Sequence, residues 1–120
     1  MKALNELRNQ AITLSNVFDL IITCDFNYNI LSWNKRAEQV VGFKEEEVLG
    51  KYLGEVAKLT YENLSSREAA DILNQKGYWQ GEISFLNRYG VKKTVLHTAS
   101  YLLDETGKRI AIIGTGIDIT

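Results

Sequence analysis

Hydrophobic positions near the start of the chain recur at alternating steps of three and four residues. This spacing predicts a helix over residues 3 to about 18, with an apolar stripe of the coiled-coil type. The stripe consists of Leu4, Leu7, Ala11, Leu14 and Phe18. Two heptads are too short to form a stable helix in isolation. The helix is therefore expected either to lie only on its own domain or also to pack against a second copy.

Two blocks with strand-like patterns flank a stretch that contains helices. Residues 20–33 predict a hairpin around a polar turn, and residues 79–85 alternate between apolar and polar side chains. Longer strands are predicted at residues 92–103 and 109–119. The last of them is apolar on both faces, which is typical of a central strand that is covered from both sides. The short helices would cover one face, and the N-terminal helix is the candidate for the other.

Capping residues mark the helices in the middle of the chain. Asn34 is suited to begin a short helix that ends at Gly42. Ser65 and Glu68 have the spacing of a capping box, and the helix they begin is expected to end at Gly77. The order of elements predicts an α+β domain in which an antiparallel sheet carries helices on one face.

Length and composition fit one globular domain. The chain has 120 residues, of which 45% are hydrophobic and 24% are charged. No apolar run reaches the length of a membrane span, and the N-terminus lacks the layout of a signal peptide. Fourteen basic and fifteen acidic residues give a net charge of -1, without the basic excess that is typical of nucleic-acid binders. The single cysteine excludes an internal disulfide and suits the reducing cytoplasm.

Residues that could carry catalysis or bind a metal are sparse. Cys24 and His97 are too few for a Cys/His zinc site, and no motif supports them as a nucleophilic pair. A small enzyme of this class would need a carboxylate or an imidazole deep in an apolar pocket, and only Asp25 and His97 are candidates. Asp25 is interpreted instead as a residue that stabilises the hairpin turn. The sequence therefore predicts no catalytic residue and no metal site.

Six segments, taken in order, resemble the PAS sensory domains over residues 19–120. They are DLIITCD at 19–25, ILSWN at 30–34 with the following AE and GF pairs, EEVLGK at 46–51, GYWQGE at 77–82, DETGK at 104–108 and DIT at 118–120. Each segment alone is a weak signal, but their order and spacing together make the resemblance specific. It implies a PAS fold: a five-stranded antiparallel sheet in the spatial order 2-1-5-4-3, formed by residues 19–120 and preceded by the amphipathic helix of residues 1–18.

Two local features bear on this comparison with the family. Tyr28 stands where many members have a glycine in the first turn, so Asn27 or Asn29 is expected to adopt the unusual backbone angle. The three glutamates at 45–47 are interpreted as a solvated first helical turn rather than a metal or acid–base site. By analogy with related PAS domains, one of them is expected to pair with Arg88.

The resemblance implies a signalling module. PAS domains typically precede histidine kinases, cyclases or transcription regulators, and the closing Asp-Ile-Thr typically leads into a connecting helix. The chain is therefore expected to be a fragment of a larger cytoplasmic regulator, with a sensor histidine kinase as the leading case and its output domain missing. We expect a non-catalytic relay that dimerises through the N-terminal stripe, with no nucleic-acid partner and no membrane insertion in this fragment.

The alternative function is a sensor that holds a flavin or another small organic ligand. Light-sensing members bind flavin mononucleotide beside a reactive cysteine on a helix, whereas Cys24 lies in a strand and is interpreted as a buried structural residue. Haem-binding members place a histidine on the long helix, which has none here. No cofactor is therefore assigned. Candidate residues for the lining of a cavity are Trp33, Phe43, Trp79 and Phe85, with Thr98 and Thr115 as polar contacts. A simply filled aromatic core is the competing interpretation.

Overall fold

An antiparallel sheet of six strands with four helices on one face makes up residues 19–120, the part of the chain that the computed structural model describes. The elements in chain order are β1 (Leu20–Cys24), β2 (Ile30–Trp33), α1 (Lys35–Val41), α2 (Glu45–Val48), α3 (Leu53–Val56), β3 (Thr60–Tyr61), α4 (Ser66–Lys76), β4 (Tyr78–Leu86), β5 (Lys92–Leu103) and β6 (Arg109–Asp118). The predicted N-terminal helix and its stripe of Leu4, Leu7, Ala11, Leu14 and Phe18 lie outside the described residues.

The spatial order of the strands is β2-β1-β6-β5-β4-β3. The last strand of the chain, β6, therefore lies between β1 and β5, which confirms the central position predicted from its apolar faces. The order also agrees with the predicted PAS arrangement, extended at one edge by the two-residue β3. That short strand pairs with β4 through Thr60 and Ser84. No pattern indicated it, because two residues are too few for an alternation to show.

Alternation along the strands divides the sheet into two apolar faces. The inner face carries Leu20, Val95 and Ile112, and every helix of residues 19–120 adds apolar side chains to this cluster. Among residues 19–120, the outer cluster contains strand residues only, namely Ile21, Leu102, Ala111 and Ile113, packed with Leu31. Two buried hydroxyl groups, those of Thr23 and Ser32, hydrogen bond to each other. Burial of two polar groups is tolerated there because each satisfies the other.

The predicted helix boundaries are confirmed at four caps, one of which is Gly77, which ends α4 in the left-handed region. Asn34 Oδ1 accepts the backbone N–H of Ala37 at 3.0 Å, and it also accepts the N–H of Ile21 in β1 at 3.0 Å. Asn34 thus begins α1 and ties it to the sheet. Gly42 ends α1 in the left-handed region, with φ 93°. The capping box of α4 is complete, since Ser65 and Glu68 each accept the other's backbone N–H.

The expectation for the first turn is wrong, because Tyr28 itself has the positive φ, 63°. A left-handed conformation costs a residue with a Cβ about 1–2 kcal/mol. Tertiary contacts compensate for it: the Tyr28 carbonyl accepts the N–H of Leu53 at 2.9 Å, and the phenol ring packs against the core. The flanking asparagines are held by Asp25, whose carboxylate accepts the backbone N–H groups of Asn27 and Asn29.

The predicted partner of Arg88 is confirmed as Glu47, with Nη1 and Oε1 3.2 Å apart. The Arg88 guanidinium also lies 5.0 Å from the centre of the Phe43 ring. Both charged side chains are more than 40% exposed, so water screens the pair and its contribution to stability is small. The contact joins α2 to the turn between β4 and β5 at the rim of the sheet.

Candidate functional site

An apolar cavity of about 100 Å³ lies between the inner face of the sheet and the helices. Its lining comes from all six strands, the turn after β1 and the helical layer. It consists of Leu20, Ile22, Cys24, Tyr28, Trp33, Val41, Leu53, Ala57, Leu59, Tyr61, Ala69, Ala70, Leu73, Trp79, Ile83, Phe85, Val95, His97, Ala99, Ile112 and Gly114. One water molecule takes about 30 Å³ of the liquid, and a dry cavity of about 150 Å³ takes up benzene. The space is thus on the scale of a few waters or one small ring.

The space does not fit a flavin or a haem. Pockets for drug-sized ligands usually measure about 300–1,000 Å³, which is several times this volume. Large side chains such as Trp33, Trp79 and Phe85 occupy the region between helices and sheet. A ligand of this cavity must therefore be much smaller than either cofactor.

His97 is the basic group that faces the cavity. Its ring lies on the inner face of β5, with its centre 6.0 Å from that of Trp79. Gly114 provides the space, because a Cβ at that position would lie 2.8 Å from His97 Cε1. Burial lowers the pKa of His97 to about 4, against the opposing effect of a hydrogen bond to the backbone of Thr115. The imidazole is therefore neutral at pH 7, with one donor and one acceptor nitrogen.

Two phenols also line the cavity. Burial, as the largest effect, raises the pKa of both Tyr28 and Tyr61, so their hydroxyls stay protonated and can donate hydrogen bonds. The Tyr61 ring meets Trp79 edge to face, with the ring centres 5.2 Å apart. The cavity thus combines aromatic walls with a small number of polar groups, which is the usual make-up of a small-molecule site.

Cys24 and Asp25 are not arranged for chemistry. Burial, followed by the nearby charge of Asp25, raises the pKa of the Cys24 thiol to about 12, so the reactive thiolate is disfavoured. The Asp25 carboxylate accepts hydrogen bonds from Asn27 and Asn29, and the backbone hydrogen bond from Asn29 is the largest of the effects that keep its pKa low. Asp25 does not line the cavity and is not paired with His97 as an acid and a base.

A wider groove of about 370 Å³ lies outside the cavity. Six residues line both spaces, namely Tyr28, Leu53, Ala57, Leu59, Tyr61 and Ala70. Most of them come from residues 53–61, which hold α3 and β3. This segment is therefore the wall between the cavity and the solvent. Lys58, Arg67 and Tyr52 line the groove on its outer side.

The structure brings together only part of the predicted site. Trp33, Trp79 and Phe85 line the cavity, whereas Phe43 lies in the loop after α1, where its carbonyl accepts the Trp33 Nε1–H at 3.0 Å. Thr98 and Thr115 are also absent from the lining. They are paired across β5 and β6, on the face opposite His97.

Three lining residues with hydrogen-bonding groups, Tyr28, Tyr61 and His97, were not among the predicted cavity residues, although His97 was considered as a catalytic candidate. Residues 95, 97 and 99 share one face of a strand, so the apolar Val95 and Ala99 indicate that His97 lies on the inner face. The two tyrosines lie in a turn and in the poorly patterned stretch before α4, where no periodicity indicates a face.

Residues 19–120 contain no group of three or more His, Cys, Asp or Glu side chains placed to hold a metal ion. Within the same range, no helix has the length and apolar character that crossing a membrane requires.

An antiparallel sheet that carries its helices on one face, over a small cavity, is the architecture of an α+β domain with one candidate binding site. The match of a family model narrows this class: the model described as PAS domain matches residues 19–120. The chain therefore belongs to the PAS domain family, and it is a PAS sensory domain.

Solved structures share this fold at low sequence identity. The PAS domain of a protein from Colwellia psychrerythraea has a TM-score of 0.72 and 22% identity, covering 98% of each chain. The PAS domain of the fruit-fly ELK potassium channel has a TM-score of 0.74 and 13% identity, covering 95% of this chain and 97% of that one. A variant of the fungal photoreceptor VVD has a TM-score of 0.68 and 16% identity, covering 86% and 78%. No curated protein sequence matches the chain.

Proposed function

We propose that this PAS domain is a non-catalytic relay of a larger cytoplasmic signalling protein, with a histidine kinase as the leading output partner. In this proposal the domain forms a homodimer through the apolar stripe of residues 1–18 and passes strain between helices at its ends. The observation that carries the proposal is the apolar outer face, whose core is the cluster of Ile21, Leu102, Ala111 and Ile113. Each described helix packs on the other side of the sheet, so this face suits an amphipathic helix.

The position of β6 supports the coupling. Ile112 of β6 packs in the inner cluster and its neighbour Ile113 packs in the outer one, so one strand touches both layers. The strand also pairs along its length with β1 and β5. A change in the packing of the helical layer therefore acts on the same backbone that forms the outer face. Further along the outer face, Ile117 is 51% exposed and extends its apolar surface.

Sedimentation velocity tests the dimer. Wild-type chain is compared at micromolar concentration with Leu7→Glu/Leu14→Glu, which places charges in the stripe, and with Asn9→Glu/Asn16→Glu, which adds the same charge outside it. We expect a dimer for the wild type and the control, and a monomer with unchanged circular dichroism for the stripe variant. A monomeric wild type, or three equally stable dimers, would refute a dimer built on this stripe.

A second candidate function is a small-ligand sensor. The specific observation in its favour is the enclosed cavity, into which the neutral imidazole of His97 and the phenols of Tyr28 and Tyr61 project among apolar walls. Native mass spectrometry of protein purified directly from cells tests this function. The larger side chain of Ala70→Leu should narrow the cavity. A mass increment that is present in the wild type and lost in this variant supports the sensor function. Protein of unmodified mass that also shows no thermal shift with small aromatic compounds counts against it.

A further inference from the structure

The cavity and the groove are neighbouring spaces on either side of the wall formed by residues 53–61, and together they mark a path from the core to the surface. The wall residues Tyr28 and Tyr61 line both spaces, as do Leu53 and Ala70. A molecule that extends from one space into the other therefore contacts both phenols. Of the wall segment, α3 has four residues with none fully buried, and β3 has only two residues. Apart from Ala57, the apolar side chains of this segment are only partly buried where they pack on the core, so local opening there costs less free energy than opening of the buried strands.

The inner end of this path suits a single flat ring. Trp79 contacts the rings of both Tyr61 and His97, with ring centres 5.2 Å and 6.0 Å away. Aromatic side chains prefer such edge-on and tilted contacts with another ring. The volume of about 100 Å³ limits the buried part of a ligand to about one ring.

The outer end of the path offers positive charge and hydrogen-bond donors. Lys58 and Arg67 line the groove together with the hydroxyl groups of Tyr52 and Ser66, and no carboxylate is among its lining residues. Neither cation makes an ion pair with any residue of 19–120. The nearby carboxylate of Glu68 is engaged by the backbone N–H of Ser65 at 3.0 Å. An ionised carboxylate only accepts hydrogen bonds, so it complements this set of groups.

We infer that the ligand is a small aromatic monocarboxylate, with its ring in the cavity beside Trp79 and His97 and its carboxylate in the groove at Lys58 and Arg67. This inference rests on the proposed function as a ligand sensor and specifies the chemistry of that site. A neutral ring of the same shape would keep the contacts with Trp79 and His97 and lose the ionic contacts with Lys58 and Arg67. A carboxylate without a ring would keep only the contacts with the two cations in the groove.

Calorimetric titration with benzoate and with its neutral isostere benzamide separates the two ends of the site. We expect the full-length chain to bind benzoate about tenfold more tightly than benzamide at low salt, with a smaller difference at high salt. Lys58→Gln/Arg67→Gln should remove that difference and leave the affinity for benzamide unchanged. Lys92→Gln/Lys108→Gln removes the same charge elsewhere on the surface and should behave as the wild type.

Equal affinity for the two probes overturns the inference and leaves the ligand sensor standing. A loss of benzoate binding that is equal in both double variants shows a diffuse charge effect and also overturns it. Ala70→Leu should abolish binding of both probes while circular dichroism stays unchanged; binding that persists in this variant places the ring outside the cavity. Failure of both probes to bind at millimolar concentration rejects the ring-binding cavity, and with it the sensor proposal for this chemical class.

Discussion

The two faces of β6 are built from different side chains although both are apolar. On the inner face, Ile112 is followed by Gly114 and Gly116, and a Cβ at Gly116 would lie 2.4 Å from a methyl group of Val95. On the outer face, branched or methyl-bearing residues occupy successive positions, from Ala111 to Ile117. The glycines leave room for His97 and for the cavity. The inner face therefore has less side-chain contact area and leaves a cavity, whereas the outer face carries apolar or methyl-bearing side chains without interruption.

The largest effect on stability is expected when one isoleucine on each face of β6 is truncated. Ile112→Ala and Ile113→Ala should each destabilise the full chain by about 2–4 kcal/mol, because both side chains are less than 10% exposed. The measurement is chemical denaturation followed by circular dichroism.

The faces should differ when the N-terminal stripe is disrupted. In the Leu7→Glu/Leu14→Glu background, the effect of Ile113→Ala should shrink by about 1 kcal/mol, while that of Ile112→Ala should not change. If the stripe variant changed the destabilisation by both substitutions equally, the outer cluster would not depend on the stripe. The proposed difference between the two faces would then be refuted.

The pH dependence of stability tests whether His97 is buried on the inner face. Burial lowers the pKa of His97 from 6.5 to about 4, so the unfolded chain binds a proton that the folded chain does not bind in this window. Stability should therefore be fully present above pH 6.5 and fall, by up to about 3 kcal/mol, as the pH is lowered towards 4. His97→Gln should lack this part of the pH profile. Matching profiles for the two proteins between pH 6.5 and 4 would show that His97 is not buried as described.

One substitution on each face of β6 tests the role of the glycines. Gly114→Ala places a Cβ 2.8 Å from His97 Cε1 and should destabilise the chain by about 1–3 kcal/mol through overpacking. It should also shift the imidazole resonances of His97 in NMR spectra. Thr115→Ala, on the outer face beside it, should leave those resonances unchanged. Unshifted His97 signals in Gly114→Ala would mean that the ring lies elsewhere.

The smallest effect is expected at the rim, which belongs to neither face. Arg88→Gln removes the contact with Glu47 and the cation–π contact with Phe43, yet the expected loss is below about 1 kcal/mol because both charges are exposed. High salt should reduce the part that comes from the ion pair. A loss as large as that of the buried isoleucines would show that the rim contributes as much to stability as the core.

Local chemistry made much of the helical layer predictable from the sequence. The caps at Asn34, Gly42, Ser65 and Gly77 depend on groups three or four residues apart, so the residue types alone indicate the boundaries. The alternating pattern of residues 79–85 likewise identified the buried face of β4. The stretch before α4 was not predictable, since α3 and β3 are too short to show a period.

Spacing, capping and alternation are properties of neighbouring residues, so the longer elements and the central place of β6 could be predicted from the residue types alone. The family was predicted separately, from the resemblance of six segments of the chain to PAS domains. The left-handed angle of Tyr28 and the small cavity beside His97 could not be predicted from the sequence and are properties of the packed fold. The physical reason is that a backbone angle held by a distant N–H, and a volume left between packed layers, depend on residues far apart in the chain.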